Sequence, residues 1–133
     1  MQTATIERRK LRTSNSNRAL GFLFTAVAES YTLSLVALAD ARGLLLVHWG
    51  DAQQADVLAA YGPLLVRTVD PASRAHILDT LAATVPSATP ARLSVRRVAC
   101  HGEDLYLCVV GEPGAAKDVA LNRAISGTRR ILA

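Results

Sequence analysis

The stretch VVGEPGAAKD, at residues 109–118, has the composition of a phosphate-binding loop, with an apolar run, a glycine-containing loop and a lysine near a helix start. A loop of that class requires glycine, lysine and then serine or threonine at positions 116–118. The sequence instead has Ala116, Lys117 and Asp118. Because the Asp118 carboxylate would repel a phosphate group, we interpret this stretch as a plain strand-to-helix connection.

Cysteine and histidine are the other residues whose chemistry suits catalysis or metal binding. Cys100 and His101 are neighbours on a predicted strand, where consecutive side chains point to opposite faces, and no third residue that would orient such a pair is evident. His48 and His76 are far from His101 in sequence, and none of the spacings typical of zinc ligands occurs. We therefore expect a non-enzymatic protein with no metal ion and no cofactor.

Length and composition are those of one globular domain. The 133 residues are half apolar and one-fifth charged, which is ordinary for a globular protein with a single core. No apolar run approaches the ~20 residues needed to cross a bilayer, and no apolar segment follows the first basic residues as in a secretory signal. The two cysteines, Cys100 and Cys108, suit reduced thiols. We expect a cytoplasmic protein without stable membrane insertion.

The positive charge is concentrated at the start of the chain. The formal net charge is +4, and the four basic side chains in ERRKLR, less Glu7, account for +3 of it. Residues 1–13 are therefore predicted to be a basic flexible tail, and residues 14–133 the folded domain. The tail is either merely solvated or a short electrostatic arm for an acidic partner or a membrane surface. Because the body has no basic face with aromatic residues among the cations, we expect no nucleic-acid binding.

The first half of the domain is predicted to be a helix followed by a hairpin. Ser14, Ser16 and Asn17 are competent N-caps, and a helical spacing then connects the apolar residues Leu20, Leu23, Phe24, Val27 and Tyr31. Strands follow at 31–39 and 44–49, joined by a turn that uses Asp40 and Gly43. Both strands are apolar on both faces, which predicts a sheet covered on both sides.

The second half is predicted to contain three further helical segments and two strands. Asp51 caps a helix that is expected to kink or stop at Gly62-Pro63, which leaves residues 63–69 open between helix, kink and strand. Asp70-Pro71 begins another helix, with a predicted buried stripe of Ala75, Leu78, Leu81, Ala82 and Val85. Two strands joined through residues 101–104 and a C-terminal helix complete the chain. The pattern predicts an α/β (α+β) domain with a central, mainly antiparallel sheet and helices on both faces.

The stretch LVALADARGLLLVHWGD, at residues 35–51, resembles the first hairpin of the roadblock/dynein light chain family. Asp40, Gly43 and Leu44 are the matching residues, and the order of the other elements extends the resemblance over roughly residues 15–132. The resemblance implies a roadblock-like single domain that dimerises and binds or regulates small Ras-like GTPases. Bacterial MglB-type members, which act on a polarity GTPase, are the relevant relatives.

The function expected from this resemblance is a homodimeric adaptor or co-regulator of a small Ras-like GTPase or its regulatory complex, as in bacterial polarity or motility control. The expected interface residues are Phe22, which the helical spacing turns outward, and Val57, Tyr61, Leu64 and Leu65 on the central helix. The alternative is a small-molecule sensor of GAF or PAS type. A sensor would need a cavity lined by Tyr106, His48 and Trp49, the available polar and aromatic residues.

Overall fold

The computed structural model describes residues 15–133, so the predicted basic tail at 1–13 and the candidate cap Ser14 lie outside the described residues. Within the described range, four antiparallel strands form one sheet, three α-helices cover its two faces and a fourth packs outside one of them. This confirms the predicted fold class. The elements are α1 (Asn17–Tyr31), β1 (Leu33–Asp40), β2 (Leu45–Trp49), α2 (Ala52–Arg67), α3 (Pro71–Thr84), β3 (Leu93–Cys100), β4 (Glu103–Gly111) and α4 (Ala115–Leu132).

The sheet has the strand order β2-β1-β4-β3, which places the two most apolar strands at its centre. Along β1, Val36 and Leu38 point into the core on one face, while Leu35 and Ala37 point into the core on the other. Strand β4 is buried from Leu105 to its end. Central strands that are buried on both faces need no polar alternation, which explains their continuous apolar runs.

Each sheet face has its own helical layer. Helices α1 and α4 cover one face and share a core that includes Leu20, Phe24 and Leu121. Helix α2 covers the other face, with Ala55 and Leu58 against the sheet. The five-residue strand β2 and the eight-residue strand β3 form the two edges.

Helix α3 lies outside α2 and packs mainly against that helix, not against the sheet. The predicted buried stripe is therefore wrong in part. Leu81 and, at the C-cap, Val85 are fully buried, but Leu78 is half-buried and Ala75 is exposed. A helix in an outer layer needs only a narrow apolar contact, which the sequence spacing did not reveal.

All three helices begin where the sequence predicts, but only two of them have the predicted side-chain cap. The Asp51 carboxylate accepts a hydrogen bond from the Gln54 backbone N–H, and the Asp70 carboxylate accepts one from the Ser73 N–H, both at 2.9 Å. Ser16 precedes α1 but makes no side-chain capping bond. Its φ and ψ are already helical, whereas a capping side chain needs an extended backbone to reach the following amides.

Helix α2 continues through Pro63 to Arg67, so of the two alternatives predicted at Gly62-Pro63, a kink or a stop, the stop is wrong. A proline at this position leaves the Ala59 carbonyl without its helical N–H donor. The β1–β2 turn packs against this point, because a Cβ added to Gly43 would lie 3.1 Å from the Ala60 Cα and 3.4 Å from the Ala59 oxygen. The sheet and the hairpin turn thus pack against α2 at the point where the proline removes a helical hydrogen bond.

Candidate interaction surface

One side of α2, at the margin of the core, carries a row of apolar residues. Val57, Tyr61 and Leu64 follow one another at intervals of four and three residues, which places them on one side of the helix. Val57 and Tyr61 are half-buried at the margin of the core, and Leu64 is 44% exposed. We call these three residues the α2 row.

Leu65 lies on a different side of α2 from the row. Its side chain is 3% exposed and belongs to the core between α2 and the sheet. The expectation that Leu65 lies at a partner surface is therefore corrected, since its side chain is already packed within its own chain. Leu64 and Leu65 are adjacent, and the ~100° turn between consecutive helical residues separates them.

Gly62 brings α2 unusually close to the sheet. A Cβ at this position would lie 2.6 Å from the Cys108 Sγ on β4, a distance at which one of the two groups must move. Cys108 is fully buried, and its burial raises the pKa of the thiol to about 12. The α2 row is therefore presented by a helix whose distance from the sheet is set by a glycine.

Arginine side chains hold the connection between α2 and α3. The Arg67 guanidinium donates to the Ala41 carbonyl at 2.6 Å and lies 5.6 Å from the centre of the Tyr106 ring. Arg74 donates to the carbonyls of Leu65 and Thr68. These bonds fix the end of α2, while Val69 in the connection is 87% exposed.

Phe22 lies apart from the α2 row. It is 67% exposed on α1, as the helical spacing predicts, while Phe24 is fully buried. Helix α1 covers the sheet face opposite to α2. The structure therefore brings Val57, Tyr61 and Leu64 together on one helix and places Phe22 on a separate surface.

The side chains considered above for catalysis or phosphate binding contact backbone carbonyl groups of their own chain. Cys100 is buried with its Sγ 3.8 Å from the Leu132 carbonyl oxygen, and the His101 ring contacts the same oxygen. The buried Lys117 donates to the Ala91 carbonyl at 2.7 Å, which ties the start of α4 to the connection between α3 and β3. The predicted strand-to-helix connection is confirmed, because β4 ends at Gly111 and α4 begins at Ala115. Between residues 15 and 133, no group of three potential ligands is arranged to hold a metal ion.

A groove of about 490 Å³ opens at the end of the sheet that holds both hairpin turns. Leucine side chains form much of its lining, including Leu20, Leu38 and Leu105, and the carboxyl residues Asp40, Glu103 and Asp104 lie around it with Arg42. Sequence reasoning missed this groove. His48, Trp49 and Tyr106, the residues expected to line a sensor cavity, are not among its lining residues.

The fold is that of an α/β domain with one antiparallel sheet between helical layers. A solved structure with the same fold is MglB of Myxococcus xanthus, which superposes with a TM-score of 0.54 at 15% sequence identity, over 88% of this chain and 90% of that one. No protein-family model matches the sequence. No curated protein matches it either. The likeness is therefore one of fold.

None of the helices within residues 15–133 is long and apolar enough to span a membrane.

Proposed function

We propose that this chain is a non-enzymatic, cytoplasmic regulator of a small Ras-like GTPase and that it acts as a homodimer, as in bacterial polarity or motility control. The observation that carries the proposal is the fold shared with MglB over nearly the whole length of both chains. The hairpin around Asp40 and Gly43 supports it, because its resemblance to the roadblock/dynein light chain family implies GTPase regulation.

The α2 row is the surface we assign to self-association. Val57 and Tyr61 lie at the edge of the core and Leu64 projects further, so a second copy of the row would find a continuous apolar ridge to pack against. Packing of apolar helix faces gains free energy in proportion to the area removed from water, at about 25 cal/mol per Å². The helix ends at the arginine-bonded connection, which holds the row in place.

The sheet edges are less suited to self-association than the α2 row. Strand β3 is an edge strand, and Arg96 and Arg97 on it are exposed. Charged side chains on an edge oppose the pairing of a second strand. Strand β2, at the other edge, offers only five residues. We therefore place the two-fold contact on the helix.

Sedimentation velocity on the full chain tests this assignment. We expect wild type to sediment as a dimer at tens of micromolar, and Leu64→Lys to sediment as a monomer that keeps the far-UV circular dichroism spectrum of the folded chain. Val69→Lys is the matched control, because it places the same charge on an exposed apolar residue outside the row and should leave the dimer intact. A monomeric wild type, or dissociation by both variants, would contradict the assignment.

Phe22 is the anchor we assign to the GTPase. Aromatic side chains that become buried at an interface commonly contribute 2 kcal/mol or more to binding, about a 30-fold change in affinity. Phe22→Ala should therefore weaken GTPase binding by at least tenfold while the chain still dimerises. Val119→Ala, which truncates an exposed apolar residue on α4, should bind as wild type does. Equal affinities for wild type and Phe22→Ala would remove Phe22 from the interface.

A further inference from the structure

The groove at the hairpin end of the sheet is open and apolar at its base. Its volume of about 490 Å³ lies in the range of pockets that hold a small ligand or several side chains. Leu20, Leu38 and Leu105 in its lining are nearly fully buried. Leu46, on the edge strand β2, is 40% exposed. The groove can therefore accept additional apolar side chains beside Leu46.

The groove lining contains the carboxylates of Asp40, Glu103 and Asp104 and the guanidinium of Arg42, which lies 3.9 Å from the Asp40 carboxylate, so carboxylates outnumber guanidinium groups in the lining. The Asp40 carboxylate also accepts the backbone N–H groups of Arg42 and Leu44, which fixes it in the turn. Asp104 has a further cation, Arg97, at 3.9 Å. An occupant that matches this lining carries both apolar side chains and positive charge.

Residues 1–14 of the same chain have that composition, and the described residues that follow them line the groove. The described chain starts at residue 15, and Asn17 and Leu20 at the start of α1 belong to the groove lining. The 14 preceding residues contain Ile6 and Leu11 on either side of Arg8-Arg9-Lys10. Fourteen residues reach up to about 50 Å when extended, so no part of the groove is out of range.

We propose that residues 1–14 dock into this groove in cis, with Ile6 or Leu11 beside Leu46 and the basic side chains against the carboxylate rim. A tethered segment has an effective concentration in the millimolar range, which favours it over a free ligand of the same chemistry. This inference does not depend on the proposed GTPase function.

Photo-cross-linking of the full chain tests the docking. p-Benzoylphenylalanine replaces Leu46 in one variant and Val69 in a control variant, both at exposed positions. We expect peptides that join position 46 to residues 1–14, at a yield at least fivefold above that from position 69. Mixing ¹⁴N- and ¹⁵N-labelled chains should show both peptides with the same label. Mixed labels would show docking by a second copy and overturn the cis assignment, and equal yields from the two positions would overturn docking altogether.

Charge reversal tests the role of the rim in the same experiment. Arg8→Glu combined with Arg9→Glu should lower the cross-linking yield from position 46 several-fold, because the carboxylates then repel the segment. Adding Glu103→Lys to that variant should restore much of the yield. A yield that the reversal leaves unchanged would overturn the charge-matched docking.

Discussion

Two phenylalanines on one helix should respond to truncation in opposite ways. Phe24 is fully buried in the core between α1, α4 and the sheet, whereas Phe22 is 67% exposed. Replacing a fully buried phenylalanine by alanine removes its transfer free energy and leaves a cavity, at a cost of about 3–5 kcal/mol. Replacing an exposed one changes stability by about 0.5 kcal/mol or less. The two variants therefore differ by several kcal/mol although the substitutions are chemically identical.

Urea unfolding followed by far-UV circular dichroism measures this difference. With an m-value of about 2 kcal/mol per M, Phe24→Ala should lower the midpoint by about 1.5–2.5 M, and Phe22→Ala should leave it within about 0.3 M of wild type. Phe24→Leu, which keeps part of the buried volume, should lie between wild type and Phe24→Ala and remains measurable if Phe24→Ala does not fold. Equal losses for the two alanine variants would show that α1 is buried on both sides and would refute Phe22 as a binding anchor.

Three further predictions concern α2, its buried thiol and the start of α3. Gly62→Ala should destabilise the fold by about 1–3 kcal/mol through overpacking against the Cys108 Sγ. In urea unfolding, the double variant with Cys108→Ala should lose less free energy of unfolding than the two single variants lose together. Strictly additive losses would contradict the contact. Because burial raises the Cys108 pKa to about 12, this thiol should react with a disulfide reagent at pH 8 only after unfolding, and fast reaction in the native protein would refute its burial. Hydrogen bonds from the Ser73 backbone N–H and hydroxyl hold the Asp70 pKa below its ordinary 3.8. The stabilisation of α3 by this cap is therefore complete above the pKa of Asp70 in the unfolded chain. It is lost as pH falls through the lower pKa of Asp70 in the folded chain. An NMR titration of the Asp70 carboxyl with a midpoint at or above 3.8 would contradict this.

Local patterns in the sequence were sufficient for much of the fold. The hairpin around Gly43 and the caps at Asp51 and Asp70 depend on a few neighbouring residues, whose backbone preferences are visible in the sequence. The apolar runs of β1 and β4 similarly predicted a sheet covered on both faces. These features formed as predicted because no distant contact opposes them.

Features that depend on distant contacts were not predictable from the sequence. Helix α2 has apolar residues on more than one side, so the sequence could not distinguish Leu64 on the surface from Leu65 in the core. The narrow burial of α3 follows from its place outside α2, and periodicity does not report which layer a helix occupies. The groove combines residues from α1, both hairpin turns and the end of α4, segments that only the tertiary fold brings together.

The proposed function is tested most directly by calorimetric titration of the full chain with the purified small Ras-like GTPases of its own source, each loaded with GDP or with a non-hydrolysable GTP analogue. The account predicts micromolar or tighter binding to at least one of them, with at least a fivefold preference for one nucleotide state, because a regulator must distinguish the two states to shift their populations. The preferred complex should contain two copies of this chain. The account would be contradicted if no GTPase, in either nucleotide state, gave binding heat with this chain at a concentration 100-fold above a micromolar dissociation constant, on the order of 100 μM.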